Sequence, residues 1–144
     1  LDLDSDLLNV EADEGRMRQV LHNLIRNALE AMDNQTAEEI SISTRHFDDG
    51  GIDLVEIKVT DNGPGFMDDI VDQAFDPYVT SKVKGTGLGL AIVKKLIEEH
   101  GGQISVRNSK RCGAEIVILL PVTREAGDAM LSATHRHDKR RERA

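Results

Sequence analysis

Residues 55–65 read VEIKVTDNGPG, an alternating stretch that ends in a glycine-bearing turn. Its apolar residues recur at every second position, which predicts a strand with one buried face. The pattern stops where Asp61 begins, so we expect a carboxylate at the end of this strand. Residues 40–44 alternate in the same way, and the turn-forming residues 46–51 between the two segments predict a hairpin.

The rest of the chain predicts two helices and two further strands. Apolar residues spaced three and four apart indicate a helix over residues 13–32. A second helix begins at Gly87 and ends near His100. Segments 103–106 and 115–120 read as strands around a turn. The predicted fold class is therefore α/β (α+β): a two-layer sandwich in which helices cover one face of a mixed, mostly antiparallel sheet.

Length and composition fit one domain over residues 1–122 and a polar, basic, disordered tail over residues 123–144. The 144-residue chain carries a net charge of −8, and because the last ten residues contribute +3, the remainder carries −11. An acidic body argues against nucleic-acid binding, and no apolar run suits a membrane contact. The acidic start without Met suggests a piece of a longer protein. Cys112, the only cysteine, excludes an internal disulfide and fits a reducing, cytoplasmic compartment.

Two asparagines in the first predicted helix are candidate ligand residues. Asn23 and Asn27 are four residues apart, so they share one helix face. A carboxamide oxygen is a hard, neutral ligand suited to Mg²⁺, which would take its other ligands from water and nucleotide phosphates. The alternative is that both side chains make local hydrogen bonds in a half-buried helix.

Two glycine-bearing segments could enclose a nucleotide. In the first, Asp61 can accept a hydrogen bond from an exocyclic amine, and Gly63 and Gly65 permit close approach by a flat ring. An ordinary turn has the same chemistry. The second segment, residues 85–89, runs into a helix, whose N-terminus favours phosphate. This segment matches neither the Rossmann spacing nor a P-loop. Polar residues just upstream could contact phosphate or simply form a solvated loop: Thr80, Ser81, Lys82 and Lys84.

The order of these segments resembles the catalytic and ATP-binding domain of sensor histidine kinases, in the ATP-lid superfamily with DNA gyrase, the large heat-shock chaperone and MutL. Residues 19–28 resemble the N box, and residues 61–65 and 85–89 resemble the two glycine boxes. Residues 75–78 resemble the F box, with Tyr78 where Phe is usual. Residues 113–116 depart from the usual Gly-Thr-x-Phe. The resemblance covers residues 7–122, and the nitrogen-regulation sensor kinases look most similar.

The resemblance implies a Bergerat-type ATP-binding fold with ATP and Mg²⁺ as its ligands. Asn27 would bind Mg²⁺, Asn23 would lie beside the phosphates, and Asp61 would accept a hydrogen bond from the adenine amine. The irregular span 66–86 would form a lid. The remaining residues that the resemblance assigns to ATP binding are Gly63 and Gly65 at the base, Phe75 as the lid anchor, and Lys82, Gly85, Thr86, Gly87, Leu88 and Gly89 at the β- and γ-phosphates.

Position 23 separates kinases from hydrolases in this superfamily. Hydrolysing members carry a Glu there as general base, whereas the amide of Asn23 cannot take a proton. None of the five histidines lies in a His-Glu/Asp-x-x-x-Pro acceptor stretch. We therefore expect a kinase fragment that cannot autophosphorylate alone and needs a histidine-bearing dimerisation domain of the same parent. A response regulator would act downstream, and the parent's attachment to the inner membrane is left open.

Two alternatives belong to different functional classes. A non-catalytic regulatory module would keep the fold and act by protein contact, although the intact boxes count against it. A hydrolase would release phosphate rapidly by itself.

Overall fold

The computed structural model describes residues 1–4, 10–33, 36–79, 86–109 and 113–122. Its elements are α1 (Glu14–Met32), β1 (Ile40–Asp49), β2 (Ile52–Asp61), α2 (Asp68–Val71), α3 (Gly89–Glu99), β3 (Gln103–Asn108) and β4 (Ala114–Pro121). The two long helices and four strands follow the predicted order, whereas α2 lies in the span predicted to be irregular. The predicted tail and Cys112 lie outside the described residues, and the tail remains a prediction.

The four strands form one sheet in the order β1-β2-β4-β3, and each neighbouring pair is antiparallel. The parallel contribution is an isolated bridge between Asp2 and Ser43 on β1. The predicted two-layer α/β sandwich with a mostly antiparallel sheet is confirmed. Because β2 lies in the sheet interior, its C-terminal end is held by neighbours on both sides.

The hairpin between β1 and β2 is tighter than the sequence predicts. The expected turn over residues 46–51 is wrong at its first four positions, because β1 continues to Asp49, which pairs with Ile52. Gly50 and Gly51 alone make the turn, with φ values of 62° and 93°. Two adjacent residues with positive φ allow a two-residue hairpin loop, so strand pairing can persist up to them.

The core lies between the helices and one face of the sheet. Apolar side chains of β2 and β4 face each other across the strand pair, with Val59 opposite Ile116 and Val55 opposite Leu120. Val59, Ile116 and Leu120 pack with the buried faces of α1 and α3. Burying one such side chain contributes about 1.5–3 kcal/mol. The fully buried side chains of this core are Val20, Leu24, Met32, Val93, Ile97 and Ile118.

The N-terminus of α1 is closed by the chain itself. The Asp13 carboxylate accepts a hydrogen bond of 2.8 Å from the Arg16 backbone N–H, as an N-cap does. The His100 ring at the C-terminal end of α3 joins the two helices: its Nε2 accepts from the Asp13 N–H at 3.1 Å, and its Nδ1 lies 2.6 Å from the Leu96 carbonyl. A neutral imidazole with its proton on Nδ1 satisfies both partners.

Within the described residues, no helix is both long enough and apolar enough to cross a bilayer.

Candidate nucleotide-binding cleft

An open cleft lies between α1, the end of β2, the start of α3 and residues 66–79. Its free space, including the open mouth, is about 1010 Å³. The cleft brings both glycine-bearing segments and the helix asparagine to one place. The predicted site residues that line it are Asn27, Asp61, Gly65, Thr86, Gly87 and Gly89.

Asp61 is fixed at one end of the cleft by backbone donors. One carboxylate oxygen, Oδ1, accepts hydrogen bonds from Gly63 N at 2.9 Å and from Ala114 N at 3.2 Å. Because both bonds go to the same oxygen, the second oxygen can accept from a donor on a ligand. The end of β2 thus presents an oriented acceptor to the cleft.

Close backbone packing around Asp61 explains why glycines surround it. A Cβ at Gly113, where φ is +82°, would lie 1.9 Å from the Asp61 carbonyl oxygen. A Cβ at Gly63 would lie 2.9 Å from Asp61 Oδ1. Neither position can take a side chain without displacing this acceptor. The sequence interpretation places neither Gly113 nor Ala114 in the site, although the glycine-containing pattern at residues 113–116 is a usable signal.

Two further asparagines hold the backbone around the first glycine segment. Asn62 Oδ1 accepts from Glu39 N, and its Nδ2 donates to the Ala37 carbonyl, each at 2.9 Å. At the other end of the segment, the Asn108 side chain makes the corresponding pair of bonds with Phe66. Sequence reasoning missed Asn108, because a polar residue at a strand end is not distinctive by itself.

One wall of the cleft is apolar. It includes Phe66, Ile70 and Ala74, followed by Val79. The sequence of residues 66–86 predicts no sustained period, yet Phe66, Ile70 and Ala74 recur every four positions. The backbone forms α2 and then successive tight turns, such as Gln73 N to Ile70 O at 2.9 Å. An apolar wall of this kind suits a flat aromatic ring.

The opposite end of the cleft is formed by the start of α3. The N-cap residue Leu88 makes no side-chain cap hydrogen bond, so its side chain satisfies none of the first-turn N–H groups. A Cβ at Gly89 would lie 3.4 Å from Asn27 Nδ2, which places the Asn27 carboxamide directly beside this helix end. A helix N-terminus attracts anions through its N–H groups and its dipole.

Gly87 is in close backbone contact with Tyr78. Its carbonyl accepts a hydrogen bond of 3.0 Å from Tyr78 N, and a Cβ on it would lie 2.5 Å from the Tyr78 carbonyl carbon. Tyr78 itself has φ +69°, a conformation uncommon for a bulky residue. Backbone in such conformations concentrates at functional sites.

Several predicted site residues take other positions. Asn23 is half-buried one turn before Asn27 and does not line the cleft. Gly63 packs against the Asp61 carboxylate, and Leu88 occupies the N-cap position of α3; neither lines the cleft. Phe75 lies against α3, with Lys94 Nζ 5.9 Å from its ring centroid. Outside the described residues are Lys82 and Gly85, together with Thr80, Ser81 and Lys84.

Two charged residues that the sequence did not single out also line the cleft. Arg26 and Glu30 lie one turn apart on α1, with Nε and Oε1 separated by 3.4 Å. Their spacing of four is the usual one for a helical ion pair, so the sequence carries no sign that they face a cavity.

A helix-covered sheet with a carboxylate at one end of a cleft and a helix N-terminus at the other defines a nucleotide-binding domain. The sequence family described as histidine kinase-, DNA gyrase B-, and HSP90-like ATPase matches residues 12–124, and the chain belongs to this family.

Relatives within that family are sensor histidine kinases. The sensor histidine kinase ZraS of Salmonella typhimurium is 44% identical over 116 residues, which are 81% of this chain and 24% of that protein. The solved catalytic domain of histidine kinase ThkA has a TM-score of 0.69 at 36% identity, covering 83% of this chain and 75% of the ThkA chain. Full-length ShkA in complex with AMPPNP has a TM-score of 0.70 at 33% identity, covering 87% of this chain and 26% of that chain.

These findings confirm the resemblance to the catalytic ATP-binding domain of a sensor histidine kinase. The chain spans about a quarter of the length of the curated relative.

Proposed function

We propose that this chain binds Mg-ATP in the cleft and donates the γ-phosphoryl group to a histidine on a separate dimerisation domain, as part of two-component signal transduction. One observation carries the proposal: Asp61 and the start of α3, whose N-cap residue Leu88 makes no side-chain cap hydrogen bond, lie at the two ends of one cleft, with Asn27 beside the helix end. That arrangement complements a ligand that has a hydrogen-bond donor at one end and negative charge at the other.

Asp61 would read the adenine base. Its second carboxylate oxygen accepts a hydrogen bond from the exocyclic amine, while Gly63 N and Ala114 N hold the first oxygen in place. Gly65 and the apolar wall contact the faces of the ring. Guanine, which carries a carbonyl at the corresponding position, would present an acceptor to an acceptor.

Asn27 and the N-terminus of α3 would hold the phosphate end. Among the described residues, no three His, Cys, Asp or Glu side chains form a metal cluster, so Mg²⁺ would depend on Asn27, water and phosphate oxygens, as this ion commonly does. Bound Mg²⁺ supplies charge neutralisation at the β- and γ-phosphates. Lys82 and residues 85–89 complete this end on the family resemblance.

Phosphoryl transfer to histidine fits better than transfer to water. Asn23 stands where a hydrolase would keep a Glu, and an amide is not a general base. An imidazole nitrogen needs no such base, because its neutral form is already a nucleophile near pH 7. As the bond to the γ-phosphorus forms, the bond to the β–γ bridging oxygen breaks, and ADP leaves. We propose that the acceptor histidine approaches through the open mouth of the cleft.

The partners we propose are the histidine-bearing dimerisation domain of the same parent and a downstream response regulator, in the cytoplasm. ShkA, a structural relative, was solved with AMPPNP bound, which supports ATP as the nucleotide here. The chain alone is not expected to phosphorylate itself.

A trans-phosphorylation experiment tests this proposal. The chain is mixed with the parent's dimerisation fragment, Mg²⁺ and γ-labelled ATP, and the label is followed by acid and alkali stability. We expect acid-labile, alkali-stable phosphohistidine on the fragment and no labelled product on the chain alone. Nucleotide binding without any phosphohistidine would instead support a non-catalytic regulatory module. Rapid phosphate release by the chain alone would support a hydrolase.

A further inference from the structure

We infer that Asn108 is a positioning residue for the adenine end of the cleft, an inference that rests on the proposed function. The Asn108 side chain binds both backbone polar groups of Phe66: Oδ1 accepts from Phe66 N at 2.8 Å, and Nδ2 donates to Phe66 O at 2.9 Å. One carboxamide therefore pairs this residue as a neighbouring strand would. Phe66 lines the cleft, so the clamp acts on a residue in the proposed base site.

The Asn108 side chain, which clamps Phe66 through these two hydrogen bonds, also limits the space around Gly65. This residue has φ +77°, and a Cβ on it would lie 2.7 Å from Asn108 Oδ1 and 3.2 Å from the Gly113 carbonyl oxygen. The Gly65 backbone thus occupies the space between the Asn108 side chain and the β3–β4 turn. Moving the carboxamide would release this contact at the point where the ring is expected to approach.

Asn108 holds one end of residues 61–66, and its strand partner Ala114 holds the other. Asn108 and Ala114 are direct partners in the β3–β4 ladder, and Ala114 N donates to Asp61 Oδ1 at 3.2 Å. One pair of residues at the end of this hairpin therefore holds both ends of residues 61–66. The hairpin sets the separation between the base-reading carboxylate and the cleft wall, which prepares the site before the nucleotide arrives.

Because Asn108 is exposed, replacing it should change nucleotide affinity more than folding stability. Water can replace its hydrogen bonds when the side chain is removed, so the net loss of stability is small. Water cannot restore the fixed spacing between Asp61 and Phe66. The expected effect is therefore weaker nucleotide binding in a protein that remains folded.

The test compares Asn108→Ala and Asn108→Asp with the control Asp48→Ala. The exposed Asp48 side chain also bonds to backbone, accepting from Gly51 N at 3.2 Å, but it lies at the β1–β2 turn, at the opposite end of β2 from Asp61. Asn108→Asp preserves size and the acceptor for Phe66 N, but loses the donor to Phe66 O. We measure the Kd of a non-hydrolysable ATP analogue, the thermal midpoint, and KM and kcat for histidine phosphorylation in trans.

We expect both Asn108 variants to raise Kd and KM about tenfold, the equivalent of one hydrogen bond, with kcat unchanged. Asp48→Ala should leave Kd and KM at wild-type values. Wild-type Kd in the Asn108 variants, or an equal loss in Asp48→Ala, would overturn the inference. If the wild-type chain does not bind the analogue, the proposed function fails instead, and the two failures are thereby distinguished. Asn108→Asp, which is isosteric, keeps the test decisive if Asn108→Ala does not fold.

Discussion

Different chemical groups form the two ends of the cleft. At the proposed adenine end, side chains bond to backbone groups: Asp61 Oδ1 accepts from two N–H groups, and the Asn108 carboxamide pairs with both the N–H and the carbonyl of Phe66. At the proposed phosphate end, the start of α3 lines the cleft, and its N-cap residue Leu88 makes no side-chain cap hydrogen bond. A flat base needs an acceptor at a fixed position, whereas phosphate charge needs N–H groups and a favourable field.

The two long helices show the same difference. The chain closes the N-terminus of α1 with the Asp13 carboxylate, which occupies the place an anionic ligand would take. It leaves the N-terminus of α3 without such a cap, next to Asn27. A helix end without its own carboxylate loses the stability of a cap and gains a place for phosphate.

The largest effect is expected where backbone packs against Asp61. Gly113→Ala places a Cβ 1.9 Å from the Asp61 carbonyl oxygen at φ +82°, so clash and backbone strain together should cost about 3 kcal/mol of unfolding free energy. Urea denaturation measures this cost. Gly50→Ala is the control, because φ there is +62° but nothing lies within 4 Å, and it should cost about 1 kcal/mol. Equal costs would show that the packing around Asp61 is not tight.

Asp61→Asn should remove base recognition while keeping the fold. The Asn oxygen would still accept from Gly63 N and Ala114 N, which turns the amide nitrogen, a donor, toward the donor amine of adenine. We expect at least about a hundredfold weaker binding of the ATP analogue by calorimetry. Asp13→Asn preserves an N-cap on α1 and should bind as the wild type does. Wild-type affinity in Asp61→Asn would remove the assignment of adenine to this end.

Asn27→Ala tests the phosphate end. If Asn27 is a ligand of Mg²⁺, the variant should bind the ATP analogue about thirtyfold more weakly in Mg²⁺, within the range for residues that support a metal. With the metal chelated, the variant and the wild type should bind alike. The same loss with and without Mg²⁺ would mean that Asn27 acts by packing against Gly89 alone.

Leu88→Asp sharpens the comparison of helix ends. A carboxylate N-cap should stabilise α3 by about 1 kcal/mol and, by repelling phosphate, weaken binding of the ATP analogue about tenfold. Leu88→Asn, a neutral cap, should give the stability with a smaller loss of affinity. On α1, Asp13→Ala should lose about 1 kcal/mol of stability and no affinity. Tighter binding in Leu88→Asp would contradict the role given to this helix end.

The sequence predicted what depends on local patterns. Alternation and helical spacing predicted the two long helices and the four strands, and the Asp61 carboxylate falls at a strand end because the alternation stops there. The Asn108–Phe66 and Ala114–Asp61 contacts join residues 42 and 53 positions apart, and nothing local in the sequence carries that information. The wall residues Ile70 and Ala74 were missed for a different reason: their spacing of four from Phe66 is not sustained, and α2 is only four residues long.

The central claim is that one cleft binds adenine at Asp61 and phosphate at the start of α3. An NMR titration of amide resonances tests this claim most directly. Adenosine should shift the amide signals of Gly63, Gly65 and Ala114, and the Mg²⁺ complex of the ATP analogue should add shifts at Gly87, Gly89 and Leu90. If adenosine instead shifted the signals at the start of α3 and left those around Asp61 unchanged, the orientation of the nucleotide, and the account built on it, would be wrong.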